Sequence, residues 1–291
     1  MKILVTGGFG FIGAKLVERL LSLNHEVVVL DHNLPAKKDR LNTNVEAVEG
    51  DIRDADDIRK AMKECDAVFH LAAVADVRSS DDVVYATNFL GAKNVFEVAR
   101  AKNAKIIFTS SAAVYGNTQL PNRETADCSP ISQYGKSKLR AERYLQREFS
   151  QDSYFIARLF NVYGTNGNSA INKFCRQITK YEDAIVYGNG LQTRDYIYID
   201  DVIDALVLGL ENSGLYNIGT GQDTSTLSLI EMIHQATRCK PGIKFTVPNA
   251  GEIARSRADI TRISQFGWSP KISLQDGIQL VLDAIGFKLL A

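Results

Sequence analysis

The chain has 291 residues, long enough to bury a sizeable core as one large α/β unit or as two unequal lobes. Lys plus Arg and Asp plus Glu balance at 34 each, which gives no global basic excess for nucleic acid, so any charged ligand must be met by local side chains. Cys65, Cys128, Cys175 and Cys239 lie far apart without a CxxC, and His25, His32, His70 and His234 have no ligand spacing; these read as isolated reduced thiols and no metal site.

The N-terminal "MKILVTGG" runs directly into a strand pattern without the parts of a signal peptide, and no apolar run reaches membrane-spanning length. A cytoplasmic protein with no membrane attachment is expected. "ILVTGGFGFIGAKLVERLL" places Gly7, Gly8, Gly10 and Gly13 between that strand and a helix over Gly13–Leu23. Both Gly8-x-Gly10-x-x-Gly13 and Gly7-x-x-Gly10-x-x-Gly13 fit dinucleotide fingerprints. Glycine allows the tight turn, close approach of a pyrophosphate to the backbone and close helix–strand packing, while the helix N-terminus supplies oriented N–H groups.

The next strand, "HEVVVLD", ends in Asp31, whose carboxylate can accept hydrogen bonds from ribose hydroxyls and repels a 2′-phosphate. That favours NAD over NADP; a turn or helix-capping aspartate is the plainer alternative. The strands "VEAVEGD", "DAVFHLAA", "KIIFTSS" and "YFIARLF" follow, alternating with amphipathic helices over Asp54–Glu64, Val84–Ala101 and Tyr134–Phe149. Continuous apolar strands alternating with helices predict a parallel sheet covered on both faces, an α/β, Rossmann-type doubly wound architecture. Past Tyr163 the rhythm breaks into "GTNGNSA", a helix, "YGNGLQTRD", the strand "YIYID", another helix and "YNIGTG", which predicts a smaller C-terminal α/β lobe. The final periodic segment predicts a helix over Leu274–Leu290.

Within "SPISQYGKSKLRAE", Tyr134 and Lys138 stand one helical turn apart on one face. The spacing alone fits a solvated helix surface as well as it fits chemistry. The segments around it carry more. In chain order they are "TGGFGFIG" (6–13), "GDIRD" (50–54), "HLAA" (70–73), "TNFLGAKNV" (87–95), "TSSAAVYG" (109–116), "YGKSK" (134–138), "RLFNVYG" (158–164), "GLQTRDYIYIDD" (190–201), "YNIGTG" (216–221) and "ADITRISQFGWSPKISLQDGI" (258–278). With these motifs in this order, the sequence resembles the extended short-chain dehydrogenase/reductase family, and within it the NAD-dependent nucleotide-sugar epimerase/dehydratase group.

The resemblance implies an NAD-binding Rossmann domain over 1–164 and a nucleotide-sugar-binding lobe over 165–291, with a crossing back around 195–220. It implies cofactor contacts from Gly7, Gly10, Phe11, Ile12, Gly13, Asp31, Asn33, Asp51, Ile52, Leu71, Ala72, Ala73, Asn88, Tyr134 and Lys138. Ser111 matches the catalytic Ser/Thr, Tyr134 the catalytic base and Lys138 its partner. An unperturbed tyrosine has a pKa near ~10, and bringing it to neutrality requires roughly 4 kcal/mol of preferential phenolate stabilisation. A neighbouring lysine and a positive nicotinamide ring can supply that field. For Ser111 the alternative is a strand-end hydroxyl bonding backbone.

Relatives that eliminate water or decarboxylate carry carboxylates after the catalytic Ser/Thr, where this chain has Ala112 and Ala113. The resemblance therefore implies hydride and hydroxyl-proton transfer only, a nucleotide-sugar 4-epimerase acting on UDP-glucose and UDP-galactose. Ser111, Asn161, Arg194 and Arg255 match substrate contacts, the arginines offering charge-assisted bonds to a diphosphate; the alternative for both arginines is a structural ion pair. "NAGE" places Asn249 where relatives often have a phosphate-binding arginine, which Arg255 or Arg257 can replace, and Thr165 stands where they often have proline. The helices over Val84–Ala101 and Tyr134–Phe149 match those through which relatives form dimers, so a homodimer is expected. A net NAD(H)-dependent reductase or dehydrogenase and a non-catalytic dinucleotide sensor are the rival readings.

Overall fold

The structure, a computed structural model, describes residues 1–34, 45–75, 79–248 and 252–288. The chain divides into two interleaved compact units, one of Met1–Val114, Ser132–Arg158 and Ile203–Tyr216, the other of Tyr115–Ile131, Leu159–Val202 and Asn217–Ala291. Relative to a single boundary at residue 164, the segments 115–131 and 159–164 group with the second unit and 203–216 with the first.

The first unit is built on β1 (Lys2–Thr6), β2 (Glu26–Asp31), β3 (Glu46–Glu49), β4 (Ala67–His70), β5 (Lys105–Ser111) and β6 (Tyr154–Leu159). Four short strands intervene in the chain: β7 (Asn161–Tyr163), β8 (Ala184–Tyr187), β9 (Thr193–Arg194) and β10 (Tyr196–Tyr198). β11 (Gly214–Ile218) then completes a seven-stranded sheet in the order β11-β6-β5-β4-β1-β2-β3. β1 pairs in parallel with β2, Lys2 opposite Glu26, and with β4, Ile3 opposite Ala67; β2–β3 and β4–β5 are parallel too. The apolar runs at the centre of the sheet are buried, β1 and β4 keeping Ile3, Leu4, Val5, Val68 and Phe69 at 0% exposure, whereas β3 at the edge is exposed to half-buried.

Helices α1 (Phe11–Ser22), α2 (Ala55–Ala61), α3 (Asp81–Tyr85), α4 (Ala92–Lys102) and α5 (Gln133–Glu148) belong to this unit. The single helix expected over Val84–Ala101 differs in one respect: Ala86–Gly91 is a π-helical turn between α3 and α4. α5 begins where Ser132 accepts a hydrogen bond from the Gly135 N–H, a side-chain cap that fixes the helix start. A core of Phe96, Phe108, Val95, Leu4 and Val28 fills one side of the sheet. Each such side chain contributes roughly 1.5–3 kcal/mol by leaving water.

In the second unit β7 pairs in parallel with β10. The chain continues through α6 (Ala170–Thr179), α7 (Ile199–Val207), β12 (Thr224–Ser225), α8 (Thr226–Thr237), β13 (Ile243–Thr246), α9 (Thr261–Ser264) and α10 (Leu274–Ala284). β13 pairs in parallel with β8, and β12 antiparallel with β9, Thr224 opposite Arg194. α10 is shorter than the expected Leu274–Leu290: it ends at Ala284, and Gly286 turns away at φ +76°. Among the described residues no helix is long and apolar enough to cross a membrane.

Candidate active site

Gly7 ends β1 in the left-handed region at φ +70°, and a Cβ there would lie 2.9 Å from the Ala72 amide. Its carbonyl accepts the Gly10 N–H at 3.0 Å, and Gly10 is the N-cap of α1 without any side-chain cap. The first intrahelical bond runs from the Ala14 N–H to the Gly10 carbonyl, 2.9 Å. Phe11, Ile12 and Gly13 therefore form an uncapped first turn, the arrangement that receives a phosphate. Gly13 is a packing residue, since a Cβ would stand 2.1 Å from the Gly7 oxygen.

A cavity of about 590 Å3 opens beside this turn, a size fit for a dinucleotide. Of the expected cofactor residues, Gly7, Gly10, Asp31, Asn33, Asp51, Ile52, Leu71, Ala72 and Ala73 line it. Phe11, Ile12, Gly13, Asn88, Tyr134 and Lys138 are not among its lining residues. Asp31 is both a turn residue and a wall of the cavity: it accepts from the Asn33 N–H at 3.3 Å and from the Phe9 N–H at 3.1 Å. Phe9, His32, Arg53 and Val74 also line the cavity and were not singled out from sequence; adjacency to the glycine, Asp31, Asp51 and "HLAA" motifs was their only signal. Arg53 is held on Asp51 at 2.5 Å, and this hydrogen bond draws the Asp51 carboxyl below its ordinary range. The glycine cradle, the uncapped turn and the carboxylate at the far end fit NAD.

The Asn88 side chain, 1% exposed, projects from the π-turn; Oδ1 accepts the Val74 N–H at 2.7 Å, and Nδ2 donates to the Val74 carbonyl at 2.9 Å and to Ser137 Oγ at 3.3 Å. It thus ties the strand-4 loop that lines the cavity to α5 one residue before Lys138. Lys138, 2% exposed, donates to the Thr109 carbonyl at 2.9 Å, and its Nζ stands 4.9 Å from the Phe108 ring centroid and 5.9 Å from that of Tyr134. Ser111, at the end of β5, lies beside Tyr134 with its hydroxyl acting on the phenol, and its Oγ accepts the Ala113 N–H at 3.2 Å. The structure thus brings Ser111, Tyr134 and Lys138 together.

Burial sets the charge states of the pair. It raises the Tyr134 phenol above its ordinary value, with the Ser111 hydroxyl pulling it back. It also lowers Lys138 to about 7, with the Glu142 carboxylate opposing. The depressed tyrosine expected from sequence is thus reversed in the chain alone, because desolvation of the phenolate outweighs the help it receives. Tyr134 is half-buried by exposure, and in this setting desolvation holds it as the neutral phenol.

In the second unit Asn161 and Arg194 share a cavity of about 550 Å3 with Phe174, Tyr187, Gln192 and Glu252. Arg194 pairs with Glu252 at 3.2 Å and donates to the Thr193 carbonyl at 2.8 Å. Arg255 lies apart from that cavity, 3.2 Å from Asp223 and beside Arg257 in a smaller depression with Asn117 and Thr118. Asn249 lies outside the described residues.

A sheet whose first crossover presents an uncapped helix turn beside a dinucleotide-sized cavity and whose fifth strand and following helix carry a Ser/Tyr/Lys constellation defines a dinucleotide-dependent α/β enzyme. Residues 3–219 match the NAD dependent epimerase/dehydratase family. The putative UDP-glucose 4-epimerase of Methanocaldococcus jannaschii is 36% identical, with 97% of each chain covered. The crystal structure of Thermus thermophilus UDP-glucose 4-epimerase in complex with NAD superposes with a TM-score of 0.91 at 31% identity, covering 98% of this chain and 99% of that one. The Thermotoga maritima UDP-glucose 4-epimerase with UDP-glucose gives 0.92 at 32% identity with the same coverage. The chain belongs to the NAD dependent epimerase/dehydratase family.

Proposed function

We propose that this protein is an NAD-dependent UDP-glucose/UDP-galactose 4-epimerase, cytoplasmic and homodimeric, in which Ser111, Tyr134 and Lys138 carry the chemistry. The observation that carries the reading is the Ser111–Tyr134–Lys138 cluster with alanines, Ala112 and Ala113, directly after the serine. No carboxylate stands there to expel water or assist decarboxylation, so the chemistry supported is reversible oxidation of a hydroxyl.

Gly7, Gly10 and the first-turn amides of Phe11 and Ile12 would cradle the pyrophosphate, Asp31 the adenosine ribose, and Leu71, Ala72 and Ala73 the face of the cofactor. When bound, NAD supplies an acceptor and donor for the C4 hydride and a positive ring near Tyr134, with no net redox. Tyr134 takes the C4 hydroxyl proton as a phenolate and returns it; Ser111 hydrogen-bonds the reacting oxygen and orients it. Lys138 stabilises the phenolate from one helical turn away. Asn161 and Arg194, with Arg255 as a further cation, supply the donors for the nucleotide diphosphate. The exposed apolar residues Tyr85 and Leu90 along α3 and the π-turn support a subunit interface there.

The purified protein is expected to equilibrate UDP-galactose with UDP-glucose without added reductant, whereas stoichiometric consumption or production of NADH assigns it to the net oxidoreductases. Tyr134→Phe is expected to bind NAD normally and lose at least about 100-fold in kcat. Unchanged turnover removes Tyr134 from the mechanism, and a variant that never turned over in either form leaves a dinucleotide sensor.

A further inference from the structure

One turn beyond Lys138 on the same face of α5 sits Glu142, 0% exposed. A carboxylate with no solvent access stays ionised only if it is surrounded by donors. Here Arg158 of β6, 3% exposed, grips it with Nε at 3.0 Å from Oε1 and Nη2 at 2.7 Å from Oε2, and Ser110 of β5 donates to Oε1. The three side chains belong to three different elements of the first unit, and none of them lines the cofactor cavity. Lys138 lies one turn back on the same face of α5, and its own neighbours, the Thr109 carbonyl and the Phe108 and Tyr134 rings, include no anion.

We propose that Glu142, fixed by Arg158 and Ser110, is a positioning residue for catalysis, the buried negative charge that balances the Lys138 ammonium and keeps it available to the Tyr134 phenolate. This rests on the reading that Tyr134 and Lys138 do the chemistry. Among the described residues, the titratable groups that face Lys138 are Tyr134 and Glu142 from α5 and His70 from β4, with Arg158 of β6 committed to Glu142. His70 is held neutral: burial and the Lys138 charge push its pKa well below the ordinary value, and its Nδ1 is 2.8 Å from Thr6 Oγ1. Among the described residues Glu142 is thus the carboxylate whose charge acts on Lys138, from one helical turn away, and it opposes the desolvation that would otherwise strip the Lys138 proton. Removing a nearby negative charge lowers the pKa of both members of the Tyr134–Lys138 pair, so the whole activity profile moves toward acid.

Glu142→Gln alone leaves the Arg158 guanidinium buried without the Glu142 carboxylate and can unfold the protein, so the decisive variant is Glu142→Gln with Arg158→Met; of the two charges removed it is Glu142's that acts on Lys138, so the shift keeps the sign of a lost anion. The double variant is expected to fold, to keep KM within about twofold, to lose about tenfold in kcat, and to move the alkaline limit of kcat down by about one pH unit. A second readout uses no turnover. In the NAD-free protein at about pH 5.5, Lys138→Met is expected to stabilise the double-variant background about tenfold more, in the unfolding constant, than it stabilises the parent, and equally in both at about pH 9, where Lys138 is neutral. A double variant with the parent's pH profile, one with reduced kcat but an unshifted profile, or equal effects of Lys138→Met in the two backgrounds at acid pH overturns the proposal and leaves Glu142 a purely structural partner of Arg158. If Tyr134→Phe retains full turnover, it is the catalytic reading itself that fails.

Discussion

Lys138 is held under local tension: an ammonium at 2% exposure whose pKa burial brings down to about 7 from an ordinary 10.5. The sign of its effect on stability follows from linkage. Below pH 7 both folded and unfolded chains hold the proton and the full penalty of burying the charge is present. Between 7 and 10.5 only the unfolded chain holds it, so the penalty shrinks as pH rises, and above 10.5 it is gone. Lys138→Met is therefore expected to raise the Tm of the NAD-free protein by about 2–4 °C for each kcal/mol relieved, fully below pH 7 and not at all near pH 10.5. Differential scanning fluorimetry across that window checks it; a gain independent of pH contradicts the buried-charge account. Tyr134, Lys138 and Ser111 were legible in the sequence as candidates because their spacing and motif context are local. Their charge states were not, because desolvation depends on what β5 and β6 place around them, and Glu142 and Arg158 carry no motif that announces their contact.

Elements explain why those residues meet. The crossover from β1 to α1 works because Gly7 turns in the left-handed region and Gly13 lets the helix lie against the Gly7 carbonyl. Gly13→Ala drives a methyl to 2.1 Å from that oxygen, so the turn must open. A cost of about 2 kcal/mol in stability and a large loss of NAD affinity are expected, measured by thermal unfolding and by equilibrium binding; near-parent NAD binding contradicts the cradle. The glycine spacing and the alternation of strands and helices in the first unit were readable because apolar runs and turn residues report on local backbone. The π-turn was not: Val84–Ala101 has an ordinary amphipathic pattern, and only the placement of Asn88 against Val74 and Ser137 shows what the widened turn does. The last helix was overestimated for the converse reason, since its apolar spacing continues past Ala284 after the backbone has turned at Gly286.

At the scale of the whole molecule, the equal counts of acidic and basic side chains leave ligand charge to be met where cations gather. In the second unit they gather around Arg194, with Lys173, Arg176 and Lys180 lining the same cavity. The interleaving of the two units was only partly visible in the sequence, because short excursions such as 115–131 carry no periodicity of their own and are assigned by contacts distant in the chain, for example Asn122 with Arg257 and Asn217 with Glu124. The enzyme class is more constrained than the sugar: the absence of a carboxylate after Ser111 limits the chemistry to a hydride and a proton. The most direct test of that claim supplies UDP-galactose deuterated at C4 and follows the label by mass spectrometry without added cofactor. Deuterium retained at C4 of the UDP-glucose formed, with none released to water, is the expected result, and loss of the label to solvent contradicts transient oxidation with internal hydride return.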